Sequence, residues 1–335
     1  MKLSIGIVGL PNVGKSTLFK MITKLQVTIA NYPFATIDPN VGVVPVPDER
    51  LDVLAKMSNS AKIVPAVVEF YDIAGLVKGA NAGEGLGNQF LSHIREVKAI
   101  VHVLRCFQSN EIIHVENRVD PISDMDIINT ELMLKDLETV QKRLSKLESE
   151  SKSGDKQKIK DAETLKKVKE GLDKGNLVFN LPKEVREEGI VQELNLLTNK
   201  NQIYLLNGVE EDVSEELKQK IKSLGFDFVI ADLMLVDDVD FLIKKAYEVL
   251  GLISFFTTGE TETRAWTIER GTKAPQAAGV IHSDFEKKFI RAEVVAYDKL
   301  VEAGSWAATK QKGWFRLEGK EYVFQDGDVV EFRHG

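Results

Sequence analysis

The 335-residue sequence has a single cysteine, Cys106, so neither an intrachain disulfide nor a thiolate metal cluster is expected. It has no apolar run of 18 residues, so no membrane-spanning helix and no membrane partner are expected. Positive charge is also short: 44 Lys and Arg oppose 51 Asp and Glu, a net charge of −7. No global positive field exists to grip a nucleic acid, so DNA is not an expected partner and any RNA contact must be local. Met1 is followed within two residues by strand-like sequence rather than a signal peptide, which makes the cytosol the expected compartment. The remainder is ordinary globular composition, 43% hydrophobic and 28% charged, and the length predicts two or three domains.

Strand-like runs at Leu3–Val8, Ala66–Tyr71, Ala99–Leu104, Ile203–Leu206 and Phe226–Ile230 alternate with helical stretches, the pattern of an α/β parallel sheet. Glycines crowd the stretch Gly75 to Gly87 and then vanish until Gly154. From about Asp126 to Leu172 two apolar stripes recur at helical spacing, Leu137, Val140, Leu144, Leu147 and then Ile159, Ala162, Leu165, Val168, Leu172. Between them lies the turn-prone Ser151–Lys158. They predict an antiparallel helical hairpin inserted into the α/β domain, with a local charge of +4 between Lys142 and Glu170. Beyond Gly251 the texture becomes β-rich and holds all three tryptophans, and Glu321–Gln325, Asp326-Gly327 and Asp328–Arg333 read as a terminal hairpin. The expected division is 1–125 and 191–253 for a nucleotide-binding domain, 126–190 for the inserted hairpin, and 254–335 for the C-terminal module.

Gly9-Leu10-Pro11-Asn12-Val13-Gly14-Lys15-Ser16-Thr17 fits GxxxxGK[ST] between a strand and a helix. In that setting backbone amides and the helix N-terminus wrap phosphates, Lys15 bridges the outer ones, and the Ser16 hydroxyl binds Mg²⁺. Asp72-Ile73-Ala74-Gly75, at the end of a second strand, has the DxxG form. Its carboxylate would hold a Mg²⁺-bound water and the Gly75 amide would read the γ-phosphate. Thr36, between these motifs, is the candidate to cap the metal.

Guanine-selective P-loop proteins carry [NT]KxD after a later strand, where the aspartate pairs with the base. Asn199-Lys200 is followed by Asn201 and precedes its strand, so it does not qualify. The expected location holds Asn207-Gly208-Val209-Glu210, with a longer carboxylate and no lysine to cover the ring. Guanine selectivity should be lost and adenine becomes plausible. Leu76 follows Gly75 where small GTPases place a water-orienting glutamine, so hydrolysis should be slow. His93, His102 and His114 are nearest in sequence. His114, beyond the third strand, is the candidate catalytic group, although lone histidines are commonly structural.

These motifs, with NYPFATIDPNVGVVPVPD (Asn31–Asp48), DIAGLVKGANAGEGLGNQFL (Asp72–Leu91), INTEL (Ile128–Leu132), RAWTI (Arg264–Ile268) and APQAAGVIHSDFEKKFIRAEV (Ala274–Val294), resemble the YchF family of Obg-like ATPases. The family lies within the P-loop GTPase superfamily. The resemblance implies a Ras-like P-loop NTPase sheet, an inserted α-helical coiled coil and a C-terminal β-grasp-like TGS domain. It also implies ATP preferred over GTP, Mg²⁺ dependence, and association with the ribosome or its 50S subunit, rRNA included. Carried over residue by residue, it puts phosphate contacts on Asn12, Val13, Gly14, Lys15, Ser16 and Thr17, and Mg²⁺ on Ser16 and Thr36. Base recognition falls on Asn207, Gly208, Val209 and Glu210, and Phe107, in VLRCF, resembles the family's apolar neighbour of the base. Two departures follow. NGVE is an unusual spelling of NxxE, and Ala231-Asp232-Leu233 leads almost directly to Tyr247, which predicts few base contacts from that loop. An Obg-type GTPase in ribosome assembly and a nucleotide-gated RNA-binding adaptor are the alternative functions.

Overall fold

The computed structural model describes residues 4–25, 41–72, 95–108, 119–150 and 155–335. β1 (Ser4–Val8) is buried at every position, as a central parallel strand covered on both faces must be. It pairs in parallel with β4 (Val67–Asp72) on one side and β5 (Ala99–Arg105) on the other. β6 (Asn201–Asn207) and β7 (Asp227–Ala231) extend the sheet beyond β5, and β2 (Val41–Pro45) closes its far edge antiparallel to β4. The order is β2-β4-β1-β5-β6-β7, the sheet expected of a P-loop NTPase. The order reverses direction at β1, which opens a crevice at the carboxyl ends of β1 and β5, where α/β sheets bind ligands. α1 (Lys15–Lys24) leaves from this crevice and buries Leu18 and Ile22, one helical turn apart, against the sheet.

The predicted hairpin is present, but its first helix begins earlier than the apolar stripe indicates. α3 (Pro121–Glu150) spans 30 residues, and only its distal half packs on α4 (Lys156–Asp173). The proximal half buries Met125, Ile128 and Leu132 against the nucleotide sheet. Asp155 caps α4 by accepting from the Gln157 and Lys158 amides, so that helix starts inside the predicted turn. Ile159, assigned to the second stripe, is exposed. Val140, Leu144, Leu147, Ala162, Leu165, Val168 and Leu172 form the buried seam as expected.

The second sheet has the order β11-β10-β12-β8-β9-β3. It consists of β8 (Leu252–Thr257), β9 (Thr263–Glu269), β10 (Phe289–Ala296), β11 (Arg316–Glu318), β12 (Asp328–His334) and β3 (Ile63–Val64). The expected terminal hairpin does not form: residues 321–325 make only an isolated bridge, Lys273 to Val323, and β12 pairs with β10 and β8. The Asp-Gly pair serves a different purpose. Gly327 adopts φ 88°, and the Asp326 carboxylate accepts from the Ser254 amide at 2.9 Å and from the Arg50 guanidinium at 2.8 Å. Arg50 lies on α2 (Glu49–Met57), is also held by Asp48, and stacks over Phe256 at 5.0 Å. β3 adds a parallel strand to β9, so the segment between β2 and β4 is built into the C-terminal sheet. Among the described residues, no helix is long and apolar enough to cross a membrane.

Candidate functional site

The turn after β1 takes a shape that ordinary side chains disfavour. Asn12 has φ 63° and Gly14 φ 112°, and a Cβ on Gly14 would lie 2.3 Å from the Asn207 amide nitrogen. A cavity of about 570 Å³ opens over this turn, with Asn12, Gly14, Lys15, Ser16 and Thr17 on its wall. Val13 is buried behind it and accepts from Asn207 Nδ2 at 2.9 Å through its carbonyl oxygen. The other end of the cavity is made by Phe107, Asn207 and Val209. The predicted phosphate and base stretches therefore meet in one crevice, at the reversal point of the sheet.

Lys15 donates to the Leu10 carbonyl oxygen at 2.6 Å. Burial holds its ammonium down at about 8, with the Asp72 carboxylate pulling the other way. An anionic ligand would relieve that desolvation. Asp72 stands beside Ile7 of β1, its pKa raised by burial and lowered by Lys15. No hydrogen bond holds its carboxylate among the described residues. By donor chemistry the Asp72 carboxylate and the Ser16 hydroxyl fit a hard divalent cation completed by phosphate and water. Among the described residues no group of three His, Cys, Asp or Glu could hold a metal alone. Thr36, Gly75, Leu76, His93 and His114 lie outside the described residues.

At the base end, Asn207 uses both halves of its amide within the protein, because Oδ1 accepts from the Leu233 amide at 3.1 Å. It staples the phosphate loop to the segment after β7. The Gly208 amide donates to the Ala231 carbonyl oxygen at 3.2 Å. The Glu210 side chain is 65% exposed, pairs with Lys218 at 2.5 Å and is absent from the cavity wall. Asp212 lines the cavity instead. Three consecutive acidic residues give spacing no means of ranking them. Phe107 is steadied by Arg105, whose guanidinium lies 4.6 Å from the ring centroid and donates to the Phe107 carbonyl oxygen. The short link after β7, expected to contribute little, supplies Asp232, Leu233 and Met234 to the wall. Gln108 also lines it.

Two residues near the site are inert. His102 is fully buried in β5, both ring nitrogens lack a hydrogen bond, and burial pushes its pKa down to about 3. Burial pushes the Cys106 thiol up to about 12. Lys200, of the excluded Asn-Lys pair, lies at the opposite end of β6 and donates to the Arg95 and Val97 carbonyl oxygens.

Residues 4–142 match the family model described as 50S ribosome-binding GTPase, and residues 252–335 match YchF-GTPase_C, described as a protein of unknown function. The Ribosome-binding ATPase YchF of Bacillus subtilis (strain 168) is 47% identical over 363 aligned positions, covering 99% of both chains. The chain belongs to the YchF family. The YchF of Haemophilus influenzae (strain ATCC 51907 / DSM 11121 / KW20 / Rd) is 43% identical with 98% of both chains covered. The solved structure of the Schizosaccharomyces pombe YchF GTPase superposes with a TM-score of 0.84 at 40% identity, over 99% of this chain and 98% of that one. Against the Bacillus YchF the alignment is longer than this chain, so that relative carries residues that are missing here.

Proposed function

We propose that this chain is a Mg²⁺-dependent ATP-binding and slowly ATP-hydrolysing switch that associates with the ribosome in the cytoplasm. The observation that carries the choice of base is the stretch after β6. Asn207-Gly208-Val209-Glu210 stands where guanine-selective proteins have an aspartate, and Glu210 turns outward to Lys218. The relatives named Ribosome-binding ATPase YchF support both halves of the reading. Ser16 and Thr36 would hold Mg²⁺ directly and Asp72 through water, and the metal would neutralise charge on the outer phosphates. Lys15 and the amides from Asn12 to Thr17 would grip those phosphates, and Gly75 would sense the last one. Leu76 can neither donate nor accept, which keeps turnover slow unless His114 or a partner orients the water. In this reading 1–125 and 191–253 form the nucleotide domain, 126–190 the coiled coil and 254–335 the TGS domain.

The names given to the fission-yeast relative and to the matched family model favour a second reading, an Obg-type GTPase. Competition of unlabelled ATP and GTP for the Mg²⁺-loaded protein separates the two. ATP should compete at lower concentration, and GTP winning by about tenfold rejects the first reading.

A further inference from the structure

The phosphate end of the cavity is built for anions, whereas its base end presents carboxylates. We infer that Asp232 selects adenine over guanine by accepting a hydrogen bond at position 6 of the purine ring. The inference deepens the ATP reading and rests on it.

The two bases differ at that position in hydrogen-bonding sense: adenine offers an amino donor and guanine a carbonyl acceptor. A carboxylate acceptor placed against that position discriminates between them. The backbone amides of Gly208, Val209, Leu233 and Met234 are each engaged within the protein, whereas Gln108, also on the wall, carries a side-chain amide that can donate or accept. Gly208 donates to the Ala231 carbonyl oxygen at 3.2 Å, and Leu233 to Asn207 Oδ1 at 3.1 Å. Met234 donates to Asp232 Oδ1 at 2.8 Å, and Val209 to Asp212 Oδ2 at 3.3 Å. A guanine carbonyl set against Asp232 would find no donor among those four amides and would face the carboxylate. An adenine amino group would donate to it.

Asp232 is favoured over Asp212 by its placement. Asp212 belongs to an exposed turn of 3₁₀ helix, Glu210–Asp212. Asp232 is half-buried and directly follows β7. Its neighbour Leu233 is tied through Asn207 to Val13, so its position is fixed relative to the phosphate loop. Among the described residues Asp232 forms no ion pair, which leaves its charge to act on the ligand. The short link after β7, which ends at the helix Asp240–Val249, brings this carboxylate to the wall.

The test measures competition of ATP, GTP and inosine triphosphate against a ribose-labelled ATP analogue, using the full chain with Mg²⁺. Inosine carries guanine's 6-carbonyl and N1–H without its 2-amino group, so it removes the 2-amino group from the comparison. In Asp232→Asn one oxygen can still accept from the Met234 amide while the other atom becomes a donor. The inosine-to-ATP and GTP-to-ATP affinity ratios should each rise about tenfold over wild type. Asp232→Ser keeps a turn-capping oxygen and removes the charge, and should raise both ratios less, which keeps the test intact if the asparagine variant folds poorly. Ratios within about twofold of wild type in the folded variants overturn the inference, as does a gain for GTP without inosine triphosphate, or a shift produced by Asp212→Asn instead. The wild-type preference alone judges the ATP reading. The change on substitution judges Asp232, whichever nucleotide the wild type prefers.

Discussion

The Lys15 ammonium is mostly buried, has the neutral Leu10 carbonyl oxygen as its hydrogen-bond partner, and forms no ion pair with a described residue. Burial favours its neutral form, so the folded protein at neutral pH holds a charge it would be more stable without. Lys15→Met retains the stem and removes the charge. The nucleotide-free variant should be more stable by about 1–2 kcal/mol, read from urea unfolding, while ATP binds roughly 10- to 100-fold more weakly in the same preparation. Loss of both stability and binding would mean that the Leu10 contact outweighs desolvation. At this scale the phosphate loop was fully legible, because its residues are contiguous and their chemistry is dictated by spacing. Asp212, Asp232 and Met234 were not legible: they reach the cavity from the ends of different strands, and nothing in their local sequence separates them from surface residues.

α3 shows how a helix can be read correctly as a helix and incompletely as a contact surface. Its apolar period reveals the seam with α4, but Asp136 looks like one more charge on a solvated face. In the fold Asp136 is buried and accepts from the Leu197 amide, the Thr198 amide and the Thr198 hydroxyl at 2.7–2.8 Å. It fastens the returning chain to the helix, and the partners lie more than 60 residues away, beyond any local pattern. Burial pushes its pKa up to about 6 against those bonds and against Arg95. The ordinary value is 3.8, so the folded state binds the proton more tightly than the unfolded state. The associated stability is full below about pH 4 and is lost as pH rises through 6. Urea unfolding at pH 5 and pH 7 should therefore show wild type gaining about 1 kcal/mol on acidification relative to Asp136→Asn, since every other carboxylate titrates in both proteins. Equal slopes would place the Asp136 proton elsewhere.

In the whole molecule, the segment between β2 and β4 joins the nucleotide sheet to the C-terminal sheet through β3 and through Arg50 with Asp326. The hairpin projects from the same body on the root of α3. Its surplus of positive charge is unevenly available. Lys146 and Lys158 pair with Glu150, Lys166 with Glu148, Lys160 with Glu188 and Lys169 with Asp173. Lys142, Arg143, Lys156 and Lys167 form no ion pair among the described residues, so these four carry the unpaired positive charge of the hairpin's described part. Exposed pairs contribute little to stability, and their charges largely cancel at a distance. If the hairpin meets ribosomal RNA, binding releases counterions in proportion to the phosphates neutralised. Reversing Lys142, Arg143, Lys156 and Lys167 to glutamate should then lower ribosome cosedimentation and flatten its dependence on salt. Reversing the paired Lys160 and Lys166 should change both much less. Ribosome-free ATP hydrolysis should stay at the wild-type rate in both proteins, because none of these residues reaches the nucleotide cavity. Equal cosedimentation by the fourfold variant and wild type across the salt series would remove the hairpin from the ribosomal contact and leave the C-terminal sheet as the surface to examine.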